Sequence, residues 1–350
     1  MMAVVLSFGD QMPGTVIGRK YRLIEALDAG SMGAVYSAEE LGSGERVAVK
    51  MLLPEFHGAP DIIARFLDEA LAAQRLLHPN IVQVFDYGTN EDGTPFIVME
   101  LLEGVPVSAY LRDGAHIPLG HASHIIEGLL AGLELAHSRG VIHRDLKPAN
   151  VFLARGADKK FVVKILDFGI AKVMDMAGGL GSRTKTGIFL GTPAYMSPEQ
   201  IVKPKTVDMR SDLWSVGVMM YKMVTGRPPF GGVAEVDRLT AILHETPEPV
   251  EAINPQLAPI KHFMVRALAK EPAGRVQSAG EMAAALNACG AVARPFGAAT
   301  AAAANTDPRY GLNPGPTGDL AAGLAPAPVA TLAAEGTGSS IKMFLVTFFV

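Results

Sequence analysis

The chain has 350 residues, with 31 Lys+Arg against 35 Asp+Glu and a formal net charge of -4. Hydrophobic residues make up 49% of it and charged residues 19%, which supplies a large core and excludes a wholly disordered chain, while the near-balanced charge excludes bulk nucleic-acid binding. Its one cysteine, Cys289, excludes an internal disulfide framework and a cysteine zinc cluster, so a reducing, cytoplasmic setting is expected.

At roughly 150 residues per domain, the length predicts two domains or two lobes. Residues 1–17 read as an N-terminal extension: Met1 to Phe8 is apolar but lacks the basic leader and small-residue cleavage site of a signal peptide, and Met12 offers a second start. Short β-type runs follow at Tyr21–Leu27, Ala34–Glu39, Glu45–Met51, Ile81–Tyr87 and Pro95–Glu100. A single helix interrupts them over Asp61–Leu77, where Ile62, Ile63, Phe66, Leu67, Leu71 and Leu76 recur at helical spacing before His78-Pro79 stops it.

After Gly104 the balance turns helical. Helices are predicted over Ala122–Ser138, over Ser211–Thr225 with Gly226 as its stop, over Pro259–Ala269, and after a capping box at Ser278-x-x-Glu281. A small β-rich lobe (18–103) therefore precedes a larger helical lobe (104–288), an α+β arrangement whose interface favours a ligand site. Residues 289–340 are dominated by Ala, Pro and Gly and read as a linker. The final run I-K-M-F-L-V-T-F-F-V (341–350) is apolar but shorter than the roughly 20 residues that cross a bilayer. It reads either as a tail or as the first part of a membrane helix, with Lys342 on the cytoplasmic side.

Four stretches carry chemistry. L-D-A-G-S-M-G-A-V (Leu27–Val35) lies between two strand runs, and glycine there lets backbone N–H groups approach phosphates; a simple turn is the plainer reading. Lys50 ends the run V-A-V-K in an apolar surround and needs a partner, which Glu69 on the one small-lobe helix could supply, so placing the ammonium on α- and β-phosphates. H-R-D-L-K-P-A-N (His143–Asn150) and the later Asp167-Phe168-Gly169 supply a base candidate, Asp145, with hard oxygen ligands in Asn150 and Asp167 of the kind Mg²⁺ selects when phosphates complete its shell. Lys147 adds a positive charge beside that base.

On these motifs, in this order, the chain resembles the eukaryotic-like (Hanks-type) protein Ser/Thr kinases, particularly the bacterial receptor-type branch, from Gly18 to Ala288. The resemblance implies a bilobal protein-kinase-like fold with ATP in the cleft and Mg²⁺ beside it. Gly30 and Gly33 would then cover the phosphates, Lys50 would hold them and pair with Glu69, and Asp145 would accept the proton of a protein Ser/Thr hydroxyl. Lys147 would neutralise the γ-phosphate, and Asn150 and Asp167 would hold the metal. The adenine would lie between Leu27, Val35 and Ala48 above and Phe152 below, with Met99 as gatekeeper and Glu100 to Leu102 as the hinge; Val35 and Ala48 read equally well as ordinary core.

By the same likeness Gly191–Glu199 positions the protein substrate, Glu199 pairs with Arg275, and Asp212 braces the catalytic loop. Arg144, directly before Asp145, implies control by phosphorylation of the following loop, where Ser182, Thr184 and Thr186 lie among Arg183 and Lys185; Thr184 or Thr186 is the expected autophosphorylation site. One position departs from the family pattern. Asp28 stands where the first glycine is expected; its tolerance of unusual backbone angles would save the turn, and its charge would weaken ATP binding.

Three readings follow: an active Mg-ATP-dependent protein Ser/Thr kinase, a pseudokinase that binds nucleotide or partners, and a small-molecule phosphotransferase. Gly191–Glu199 and Arg275 speak against the last. Protein substrates are the expected partners, nucleic acid is not, a homodimer through the small lobe is kept because similar bacterial kinases form one, and membrane association stays open.

Overall fold

The structure, a computed structural model, describes residues 13–30, 32–156, 160–168, 193–232 and 234–290. The five predicted β runs, joined by an unpredicted short strand before them, form one antiparallel sheet of six strands, in the order β1-β2-β3-β4-β6-β5. These are β1 (Val16–Ile17), β2 (Tyr21–Ala29), β3 (Gly33–Glu40), β4 (Arg46–Leu52), β5 (Val84–Thr89) and β6 (Pro95–Glu100). Side chains alternate between faces along each strand. Ala34, Tyr36, Ala38, Val47, Val49 and Met51 bury on one face with Tyr21, Leu23, Phe96 and Val98. The register Val35↔Lys50, Ser37↔Ala48, Ala48↔Met99 and Lys50↔Ile97 puts the other set on the opposite face.

Helix α1 (Pro60–Gln74) packs on that second face, with Phe66, Ala70 and Ala73 against Leu52, Val84 and Ile97. Proline at its first turn sets the entry. The helix stops short of the expected Leu77 because Leu76 turns away and buries in the core of the helical lobe. Ile81, expected in a strand, instead makes a parallel bridge to Ile165, and the strand begins at Val84. The small lobe also starts before the expected boundary at Gly18: β1 pairs with β2, and Ile17 is wholly buried.

The second lobe opens with a three-stranded sheet in the order β7-β8-β9, made of β7 (Gly104–Pro106), β8 (Val151–Arg155) and β9 (Phe161–Ile165). Between β7 and β8 runs α2 (Leu119–Ser138), whose Ile125, Ile126, Leu129, Leu130 and Leu133 are all buried. Then come α3 (Pro198–Val202), α4 (Arg210–Thr225), α5 (Glu235–His244), α6 (Val250–Ile253), α7 (Lys261–Ala267) and α8 (Ala279–Ala288). Helix α4 is buried nearly all round, as a helix at the centre of a core must be. It ends at Gly226 with φ 76°, where any Cβ would lie 2.2 Å from the Gly114 carbonyl oxygen.

Ser278 caps α8 by accepting the Glu281 N–H at 3.0 Å, but the Glu281 carboxylate takes the Gln277 N–H and not that of Ser278, so the expected capping box is half made. Among the described residues no helix is long and apolar enough to cross a membrane. The linker beyond Gly290 and the apolar run 341–350 lie outside the described residues.

Candidate active site

The glycine-bearing hairpin joins β2 to β3, with the Gly30 N–H donating to the Gly33 carbonyl at 2.8 Å. Gly33 is required by close approach: a Cβ there would sit 2.7 Å from the Met51 carbonyl oxygen of the neighbouring strand. Asp28 keeps its place in β2 opposite Val35 without a left-handed backbone, contrary to the role expected of it, and its Oδ1 accepts the Ala29 N–H at 2.9 Å. The short polar side chain thus satisfies the turn locally.

Lys50, Ala48 and Val35 share the sheet face that carries α1, and Met99 lies opposite Ala48 with its side chain packed on the Phe66–Ala70 cluster. Leu27 is exposed at the mouth, while Phe152 is half-buried on β8. Glu100 is pinned at the end of β6: its N–H donates to the Gln83 carbonyl at 2.9 Å, and its carboxylate accepts from the Gln83 N–H and from Lys164 at 2.6 Å. Leu102 makes no backbone–backbone hydrogen bond among the described residues.

Lys50 finds a different partner from the one expected. Its ammonium pairs with Asp167 Oδ1 at 2.7 Å, and no ion pair joins it to Glu69. The backbone at Asp167 lies in the left-handed region, at φ 44°, a strained state for a non-glycine residue. Glu69 still acts on the site through space. Burial would lower the Lys50 pKa, but Asp167, Glu69 and Asp145 outweigh it and hold the ammonium above its ordinary value. Burial pushes the Glu69 carboxyl up to about 8; Lys50 opposes that rise, and the two aspartates add to it.

The loop from His143 to Asn150 is fixed by its own hydrogen bonds. Asn150 donates Nδ2 to the Asp145 carbonyl at 2.9 Å, Lys147 Nζ lies 3.0 Å from Asp145 Oδ2, and the Leu166 N–H donates to the Asn150 carbonyl at 2.9 Å. The buried Asp212 of α4 accepts the N–H groups of His143 and Arg144 at 2.9 and 2.8 Å and the His137 Nε2 at 2.8 Å. Burial alone would raise the Asp212 pKa, but these donors and the fields of His137 and His143 hold it low.

His143 accepts the Asp145 N–H on Nδ1, so its Nε2 carries the proton and donates to the Leu166 carbonyl at 2.9 Å. Phe168 packs against the His143 ring in a tilted arrangement, with centroids 5.0 Å apart, and is buried in the core. One ring therefore ties the Asp145 loop to the Asp167 loop.

Farther down, Glu199 and Arg275 pair as expected, through two contacts of 2.6 Å. The guanidinium spends its other donors on the Ala269, Arg210 and Lys270 carbonyls and lies 5.0 Å over the Trp214 ring.

The donor set fits a hard cation. Among the described residues Asn150 commits its nitrogen to the loop, which leaves Oδ1, and Asp167 commits only Oδ1, to Lys50. No cluster of three or more His, Cys, Asp or Glu able to hold a metal occurs among the described residues. Two protein oxygens are the incomplete shell Mg²⁺ accepts when phosphates and water supply the rest. The structure thus brings Lys50, Asp145, Lys147, Asn150 and Asp167 together and leaves Glu69 at one remove.

Ser182, Thr184 and Thr186 lie outside the described residues, and Arg144 has its buried Nε without a hydrogen-bond partner among the described residues. Sequence reasoning missed His137 and His143 as supports and the Glu100–Lys164 pair. The His143 motif was in view; the pairings across tens of residues were not.

Comparison with known proteins agrees with this geometry. The protein kinase domain family matches residues 21–286. The chain is similar to the serine/threonine-protein kinase Pkn1 of Myxococcus xanthus, at 39% identity over 277 residues, covering 79% of this chain and 39% of that protein. It is also similar to the serine/threonine-protein kinase PknA of Mycobacterium tuberculosis, at 37% identity over 287 residues, 81% of this chain and 64% of that one. The chain therefore spans between 39% and 64% of the length of these curated relatives. Among solved structures, the PknI kinase domain of Mycobacterium tuberculosis superposes with a TM-score of 0.61 at 28% identity, covering 79% of this chain and 98% of that one.

Proposed function

The chain belongs to the protein kinase family, and from that premise we propose that it is a Mg-ATP-dependent protein serine/threonine kinase, moving the γ-phosphate of ATP to Ser/Thr hydroxyls of proteins. The observation that carries this reading is one unbroken run of contacts. It goes from Lys50 to Asp167, through Leu166 to Asn150, and on to Asp145 and Lys147. It supplies a cation from the β lobe and an acid–base group, a second cation and two oxygen ligands from the helical lobe.

In this reading Asp145 orients the substrate hydroxyl and takes its proton. Lys147, already beside that carboxylate, sets positive charge where the transferring group spreads its negative charge, and Lys50 holds the α- and β-phosphates. When bound, Mg²⁺ would rest on Asn150 and Asp167 and neutralise the phosphate oxygens. Most of the rate then comes from positioning, which the hydrogen-bonded loop provides in advance.

Arg144 supports a regulatory step. Its Nε, without a partner among the described residues, suits a phosphate on Thr184 or Thr186, which would order the loop before the substrate-positioning segment. A pseudokinase role rests on Asp28 alone, and that residue stays paired in β2, opposite Val35, after a shift of register.

The test is mass spectrometry of the purified chain after incubation with ATP and Mg²⁺. The expected result is phosphate on Ser and Thr, including Thr184 or Thr186, with none on Tyr. A chain that stays unmodified, and stays so as Asp28→Gly, favours the binding role instead.

A further inference from the structure

Arg144 has φ 65°, a strained conformation for a residue with a side chain, and it immediately precedes Asp145. Such a backbone persists only when its surroundings hold it. One side is held by Asp212, which accepts the Arg144 N–H at 2.8 Å. The other side is held by Gln200, whose Nε2 donates to the Arg144 carbonyl at 2.8 Å. That carbonyl belongs to the peptide plane joining Arg144 to Asp145, so fixing it fixes the direction in which Asp145 leaves the chain.

Gln200 is only 3% exposed, and its amide is fully assigned by its partners. Oε1 accepts the Ser197 N–H at 2.9 Å, and only the nitrogen can face a carbonyl, so the orientation is not arbitrary. The Gln200 N–H in turn donates to Ser197 Oγ at 3.3 Å, closing a capping box at the start of α3. Ser197 Oγ donates to Ser211, and Ser211 donates to Glu199 at 2.6 Å, itself paired with Arg275. A helix cap needs only the Oε1 and Oγ contacts. The Nε2 contact is surplus to capping and reaches 56 residues back along the chain.

We propose that Gln200 is a positioning residue that clamps the Arg144–Asp145 peptide, so that the segment ending at α3 sets the orientation of the proton-accepting carboxylate. The proposal rests on the kinase reading. It makes the order of the substrate-positioning segment a condition for a correctly aimed Asp145, through a single side-chain amide.

Gln200→Glu separates the two jobs. A glutamate keeps the acceptor for the Ser197 N–H and a complete capping box, but presents an oxygen where the Arg144 carbonyl needs a donor. Gln200→Met removes the donor without adding charge, and serves if the first variant folds poorly. With the full chain, kcat is expected to fall by about tenfold or more in either folded variant, the loss of roughly one buried hydrogen bond, while KM for ATP stays unchanged. Backbone amide exchange over residues 143–150 is expected to accelerate by a similar factor.

A merely structural role would lower the melting temperature and leave both the kcat of the folded fraction and that exchange untouched, which overturns the proposal; so does faster exchange with an unchanged kcat. If the wild-type chain transfers no phosphate, the kinase reading fails by itself. The exchange comparison then decides the clamp alone, with acceleration upholding it and no change overturning it.

Discussion

Glu69 separates what a motif names from what a structure enforces. The Lys50 ammonium goes to Asp167, leaving Glu69 half-buried beside two aspartates with a carboxyl whose pKa is pushed up to about 8, from an ordinary 4.5. Between those values the folded chain holds a proton that the unfolded chain has released, so this group's contribution is fully present at low pH and is lost as pH rises toward 8. In chelator without nucleotide, wild-type stability is therefore expected to decline from pH 5 to pH 8, and Glu69→Gln to flatten that decline. Urea midpoints at the two pH values measure it; a decline of equal size in the variant contradicts the assignment. The residues themselves were legible: Lys50, Asp145, Lys147, Asn150 and Asp167 stand in motifs whose chemistry requires them. The choice of partner was not, because it depends on how the Asp167 loop packs against β4, a tertiary placement that the letters D-F-G do not encode.

At the level of elements, Glu199 and Arg275 join α3 to the stretch before α8. Arg275 is buried, all five of its N–H groups are used, and Glu199, despite its burial, is held below the ordinary carboxylate range by the guanidinium and Ser211. Arg275→Met strands the Glu199 charge, and breaking such a pair costs about 3–5 kcal/mol. The urea midpoint should drop accordingly, and a midpoint within error of wild type would show that solvent reaches the site.

Periodicity predicted α2 and α4 well because their apolar stripes are long, and Gly226 marked the end of α4. It overran α1, since Leu76 keeps the helical spacing yet leaves the helix to fill the other lobe's core. It misplaced Ile81 for a related reason: an apolar run before a strand looks like the strand, whereas Ile81 bridges to Ile165. Tertiary packing overrode local pattern at both places, and both are where the lobes meet.

Across the whole molecule, two ion pairs join the lobes alongside the apolar contacts of Leu76 and Ile81. Lys50 reaches from β4 to Asp167, and Glu100 at the end of β6 reaches to Lys164 on β9. The order of motifs made the bilobal arrangement legible, because a cation in the β half is useful only if the oxygen ligands of the helical half come to it. Which contacts would seal the junction was not legible, since Lys164 and Glu100 are 64 residues apart and Lys164 stands in no recognisable pattern.

The central claim is that this junction transfers phosphate and that Asp145 handles the proton. It is tested most directly by incorporation of labelled γ-phosphate into a protein substrate by the full chain with Mg²⁺, compared with Asp145→Asn. Incorporation by the wild type that falls by roughly 10²–10⁴-fold in the variant, with ATP binding retained, is the expected result. Equal incorporation by the two would contradict it.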